Sequence, residues 1–124
     1  MHIRLDDLPE IREEGYPLVM KKAITRDRHG PDISITWVKI WGHHQRMVCD
    51  ISDRPYYIIE GEAIFQLGDD EPFQVRAGDF VFIPRGVPYE FSGHMTYLVM
   101  NGPAFLSGSD QVIGERRLPG DANP

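Results

Sequence analysis

Between residues 18 and 100 the chain is built from short runs of apolar, β-branched and aromatic residues, separated by clusters of Gly, Pro, Asp and Arg. The runs predict strands over residues 18–25, 33–41, 43–51, 56–60, 62–67, 73–76, 80–83, 89–91 and 95–100. Turn signals fall between them at 28–32, 52–55, 68–72, 77–79 and 84–88, each with Gly, Pro or Asp where a reversal needs them. Nine short strands joined by short connections describe an all-β sandwich or small barrel. Residues 1–17 alternate poorly and are acidic, which predicts an arm with one short helical turn over 8–13, closed by Pro17.

The alternation also assigns faces. In 62–67 the apolar Ala63, Phe65 and Leu67 point inward, and Glu62 and Gln66 point out. Residues 80–83, Phe-Val-Phe-Ile, are apolar on both faces, which predicts cover on both sides. Along 43–51 the odd positions His43, Gln45, Met47, Cys49 and Ile51 carry no fixed charge and are placed inside. His44, Arg46 and Asp50 are then outside, and His2, His29 and His94 are read as solvated.

Composition narrows the class. The 124 residues suit a single domain spanning 1–124. A net charge of −6 with Lys and Arg scattered, at most paired as in Arg116-Arg117, leaves no basic stripe for nucleic acid. The longest apolar runs are about a fifth of a membrane span, and the first residues lack an apolar leader, so a soluble, cytoplasmic protein is expected. The single Cys49 excludes an internal disulfide and any CxxC site.

Two segments carry a family resemblance. Tyr56-Tyr57-Ile58-Ile59-Glu60-Gly61-Glu62-Ala63 resembles the hairpin of the first cupin motif. Residues 78–89, Gly-Asp-Phe-Val-Phe-Ile-Pro-Arg-Gly-Val-Pro-Tyr, match the second, G(x)5PxG(x)2H, at every position but the last. The resemblance covers about 33–103 and implies a cupin jelly-roll barrel with a short N-terminal arm and an irregular C-terminal tail, which Phe105 anchors. Metal-dependent cupins place two His and a Glu in the first motif and a His at the end of the second. Those positions fall here on Met47 and Cys49 (Val48 and Asp50 in a shorter register), Arg54 and Tyr89. Such a set does not provide three N/O ligands for Zn, Fe or Mn, so no metal and no cofactor are expected.

A pocket without metal can still run acid–base chemistry. His43 by alternation, Tyr56 by the inward parity of Arg54, and Tyr89 at a former ligand position converge on one end of the barrel. An imidazole can take a proton at neutral pH and a phenol can donate to a developing oxyanion. The pattern of Gly42-His43, Tyr56-Tyr57-Ile58-Ile59-Glu60-Gly61, Gly93-His94-Met95 and Pro103-Ala104-Phe105 is similar to a group of small metal-free cupins that includes a nucleoside-aldehyde dehydratase. That resemblance implies His43 as the base, Tyr56 as a pocket phenol and Asp110 as an acidic partner, while a pocket tyrosine of that group falls at Phe91 and an arm lysine near Glu13.

Three functions stay open. The first is a cofactor-free lyase: His43 removes the proton α to a carbonyl of a small sugar or nucleoside aldehyde, Tyr56 or Tyr89 stabilises the enolate, and Asp110 orients the base or assists loss of the β-hydroxyl. Gln45, Met47, Arg54 and Phe91 are the expected substrate-binding residues. The second is a sugar-nucleotide epimerase or isomerase using the same pair. The third is a binding protein in which Trp37, Trp41 and the tyrosines stack on a ligand. The expected partner is a small molecule, with no nucleic acid and no membrane. The chain is expected to be a monomer or a homodimer.

Overall fold

The computed structural model describes residues 1–114; the Arg116-Arg117 pair lies outside the described residues. Among the described residues, eight antiparallel strands form one hydrogen-bonded sheet: β1 (Ile11–Arg12), β2 (Leu18–Ile24), β3 (Ser34–Cys49), β4 (Arg54–Leu67), β5 (Phe73–Arg76), β6 (Phe80–Ile83), β7 (Tyr89–Asn101) and β8 (Asp110–Val112). The order is β1-β2-β3-β7-β4-β5, with β6 paired to β4 and β8 to β3. This is the all-β jelly roll that the motifs imply. No described helix is long and apolar enough to cross a membrane.

Three expected pairs of strands are single long ones. Residues 33–41 and 43–51 merge into β3 because Gly42 does not turn the chain. It makes room, since a Cβ there would collide with the ring of Pro17. Likewise 56–60 and 62–67 join in β4, and 89–91 and 95–100 in β7. Gly61 sits just past a register shift in β4 between Ile58 and Glu60. Its φ of +85° and the carbonyl of His94 against its α-carbon leave no room for a side chain.

The interior is aromatic. Tyr56, Phe65, Tyr89, Phe91 and Tyr97 are fully buried, packed with Val38, Ile40, Ile58, Ala63 and Met95. Phe65 stacks on Phe91 with centroids 4.5 Å apart, and Tyr97 meets Phe91 edge-on at 5.6 Å.

Several expectations are corrected. Only one face of β6 is covered: Val81 and Ile83 enter the core, but Phe80 and Phe82 on the opposite face are 73% and 57% exposed. The arm has no helical turn over 8–13. A 3-10 turn spans Leu5–Asp7, Leu8 is extended ahead of Pro9, and β1 follows, pairing with β2. The tail is not irregular throughout, since β8 pairs Met47, Val48 and Cys49 with Val112, Gln111 and Asp110. It is tied down by backbone more than by the Phe105 ring: the Phe105 amide donates to Ser34 Oγ at 2.8 Å and Arg26 to the Ala104 carbonyl at 2.8 Å. His29 closes the four-residue helix Arg26–His29, its Nδ1 accepting from the Thr25 amide at 3.0 Å.

Candidate active site

The decisive local feature is a bulge. In the ladder between β3 and β7, His44 faces Phe91 and Met47 faces Tyr89, so Gln45 and Arg46 together oppose the single residue Glu90. Before the bulge the even residues of β3 point inward, as Val38 and Ile40 do; after it the odd residues Met47 and Cys49 do. One inserted residue therefore puts His44 inside and His43 outside, correcting the placement of both histidines. His43 pairs with Ser92 on the outer face, where its Nε2 lies 3.0 Å from Glu90 Oε2. Gln45 is also outside the cluster described next, and its Oε1 accepts from the Tyr16 hydroxyl at 2.9 Å. Ile51 lies beyond the strand and is exposed.

His44 stacks on Phe91 with centroids 4.4 Å apart and on Tyr89 at 5.7 Å. Its Nδ1 donates to the Gln45 carbonyl at 2.9 Å, which leaves the lone pair on Nε2. Burial among these rings, opposed by the Gln45 contact, lowers its pKa from 6.5 to about 4, so the imidazole is neutral at pH 7.

Beside it, a buried chain of polar groups crosses the barrel. The Tyr56 and Tyr89 hydroxyls are 2.9 Å apart. Arg54 Nη1 donates to Tyr89 at 2.8 Å, Nε to Asn101 Oδ1 at 2.9 Å, and Nη2 to Asp110 Oδ1 at 2.7 Å. Met47 Sδ lies 3.9 Å from Arg54 Nη1. Burial works against the Arg54 charge, but the two phenols and Asp110 outweigh it and raise its pKa above the ordinary value. Desolvation raises Tyr89, Tyr56 and Tyr97 as well, so these phenols stay protonated at neutral pH. Of the expected site residues, then, Tyr56, Tyr89, Asp110, Met47, Arg54 and Phe91 come together, and His43 and Gln45 do not.

A second polar cluster lies back-to-back with the first, on the outer face of the same strands. Arg46 Nη1 donates to Gln66 Oε1 and to Glu90 Oε1, and Nη2 donates to the Gly68 carbonyl at 2.8 Å. Gln66 Nε2 donates to the carbonyls of Gly68 and Asp70 at 2.7 and 2.8 Å. Gln66 and Glu90 face outward as alternation demands, yet both are buried. Neither residue, nor Asn101, was singled out by sequence pattern, although a polar residue flanked by Phe65 and Leu67, or by Tyr89 and Phe91, is a visible anomaly.

The inherited ligand positions do not suit a cation. Arg54 carries a fixed positive charge where a metal-binding cupin has a carboxylate, and Met47 and Cys49 stand with it. Among the described residues no group of three His, Cys, Asp or Glu side chains is arranged to hold a metal ion.

Residues 54–100 match the family model described as the cupin domain. The fold of the chain is similar to that of Pac13, a nucleoside dehydratase: TM-score 0.79 at 16% identity, covering 92% of this chain and 91% of that one. A Streptomyces Pac13 variant with a histidine replaced by glutamine, solved with uridine, aligns with TM-score 0.77 at 16% identity over 90% and 89% of the two chains. Oxalate decarboxylase of Bacillus subtilis aligns with TM-score 0.75 at 15% identity over 88% of this chain but only 31% of its own. No curated protein matches the chain by sequence.

Proposed function

We propose that the protein is a cofactor-independent lyase that removes a proton α to a carbonyl and expels a β-hydroxyl from a small sugar or nucleoside aldehyde. The observation that carries this reading is the neutral His44 ring stacked 5.7 Å from the ring of Tyr89, whose hydroxyl Arg54 holds at 2.8 Å. Base, phenol and fixed cation thus share one inner face. Likeness to a nucleoside dehydratase supports the substrate class.

In this reaction His44 Nε2 accepts the α-proton, and the electron pair of the broken C–H bond passes into an enolate. Tyr89, protonated and polarised by Arg54, donates to the enolate oxygen. Collapse of the enolate forms the C=C bond and breaks the C–O bond at the β-carbon. The imidazolium returns its proton to the departing hydroxyl, which leaves as water and restores the neutral ring. Asp110 pairs with Arg54 in the resting protein and takes no part in the proton transfers.

The test is to incubate the protein with a nucleoside 5′-aldehyde or a sugar aldehyde in D2O and follow α-deuteration and enal formation by NMR. His44→Gln should lower turnover by about 10² to 10⁴, and His43→Gln should leave it within about threefold if His43 acts only outside the barrel. Full turnover in His44→Gln would refute the assignment. Deuteration without loss of water would identify an isomerase, and binding without either signal a non-catalytic cupin.

A further inference from the structure

Arg54 is 4% exposed inside a barrel lined by aromatic rings, and among the described residues its only ionic partner is Asp110. A guanidinium at that depth requires an anion, because removing one partner of a buried pair leaves an uncompensated charge. The anion it has comes from a short strand at the end of the described chain. β8 contributes three residues, pairs only with β3, and follows the exposed segment 105–108. Asp110 itself is partly open to solvent, with its side chain 26% exposed.

The geometry at the contact is that of a fork on a carboxylate. Nη2 reaches Oδ1 at 2.7 Å and Nη1 reaches Oδ2 at 3.3 Å, two nitrogens on two oxygens. Nη1 also holds the Tyr89 hydroxyl, the proton donor of the proposed reaction. Cys49, Ser52, Ile83, Pro84 and Val87 line the surface next to the fork.

We propose that the Arg54 fork is a substrate-carboxylate site which Asp110 fills in the resting protein, and that a substrate's own carboxylate displaces Asp110 and frees β8 from the barrel mouth. Exchange of one carboxylate for another keeps Arg54 neutralised at every stage. Within the proposed class of small sugar or nucleoside aldehydes, the substrate is then one that also bears a carboxylate, held by that group with its carbonyl toward Tyr89. This assignment rests on the inner face being the reaction site, but the exchange is measurable without turnover.

The experiment uses the full chain with three probes: glycolate, neutral glycolaldehyde and inorganic phosphate. Affinities are measured by calorimetry for the wild type and Asp110→Asn, and amide exchange of residues 110–112 is followed by mass spectrometry. Asp110→Asn should bind glycolate about tenfold or more tightly than the wild type, since the internal competitor is gone, with glycolaldehyde unchanged. Saturating glycolate should raise exchange of 110–112 in the wild type about fivefold or more. Glycolate binding no tighter in Asp110→Asn, phosphate preferred over glycolate, or a β8 that stays protected with glycolate bound would each overturn the proposal. If Asp110→Asn does not fold, the wild-type exchange experiment decides alone. Loss of aldehyde turnover with intact glycolate exchange would refute the lyase reading and leave the carboxylate site standing; turnover without glycolate exchange would do the reverse.

Discussion

Protonating His44 should weaken the fold by an amount its environment sets. The unfolded chain takes up this proton near pH 6.5, whereas the folded ring, desolvated against Phe91 and Tyr89, refuses it until about pH 4. Between those values the unfolded state binds more protons, so stability rises with pH. The contribution of neutral His44 is fully present above pH 6.5 and is lost as pH falls through 4. From the two pKa values the loss is about 2 kcal/mol at pH 5 and about 3 kcal/mol well below pH 4. Urea unfolding of the wild type and His44→Gln at pH 7.5, 6.0 and 5.0 isolates this term, because every carboxylate common to both proteins cancels in the difference. The wild type should lose about 2 kcal/mol more than the variant between pH 7.5 and 5.0. Parallel pH curves for the two proteins, or an NMR titration midpoint for His44 near 6.5, would show that the ring is solvated and that the bulge does not turn it inward.

Glu90→Ala leaves Arg46 buried without its carboxylate and should cost about 3 to 5 kcal/mol in urea unfolding; a cost under about 1 kcal/mol would mean that water reaches the cluster. Cys49 is 4% exposed on the inner face behind β8, so a thiol reagent should label it slowly in the native protein and fast in urea. Rapid native labelling would contradict its inward placement. Protein purified without chelator should contain no stoichiometric Fe, Mn, Ni or Zn, because Arg54 occupies the carboxylate position of the ligand set; one equivalent lost together with activity on EDTA treatment would refute that argument.

The strands whose pattern is unambiguous were legible from sequence alone. β5 and β6 have the expected bounds, and Gly78, Pro84 and Gly86 placed the turns around β6. Faces could be read wherever an apolar residue marked each second position, as at Ala63, Phe65 and Leu67. They could not be read across residues 43–46, His-His-Gln-Arg, where no apolar residue marks either parity. The conflict on either side was nevertheless informative. Val38 and Ile40 are inward at even positions, Met47 and Cys49 at odd ones, and only an inserted residue reconciles them. Tyr89 and Asp110 were placed near Arg54 only through the family resemblance, and Asn101 was not legible at all, because three side chains converging on one guanidinium is a product of tertiary pairing with no local signature. The exposure of Phe80 and Phe82 likewise depends on what lies beside β6, which local sequence does not encode.

The two polar clusters are linked through the backbone at each step. His43 adjoins His44, Arg46 adjoins Met47, and Glu90 lies between Tyr89 and Phe91, so each outer residue is a chain neighbour of an inner one. A buried ion pair is weak evidence for stability, since apolar replacements of similar volume are often as stable. What Arg46, Gln66 and Glu90 add is a cost on the wrong register. A slip of one residue between β3 and β7, or between β4 and β7, would move Glu90 or Gln66 toward Phe65, Phe91 and Tyr97, where no donor or counterion answers it. The same slip would carry His44 out of the barrel. The outer cluster therefore specifies the bulge, and the bulge is what brings His44 and Met47, three residues apart in one strand, onto the face shared with Arg54 and Tyr89.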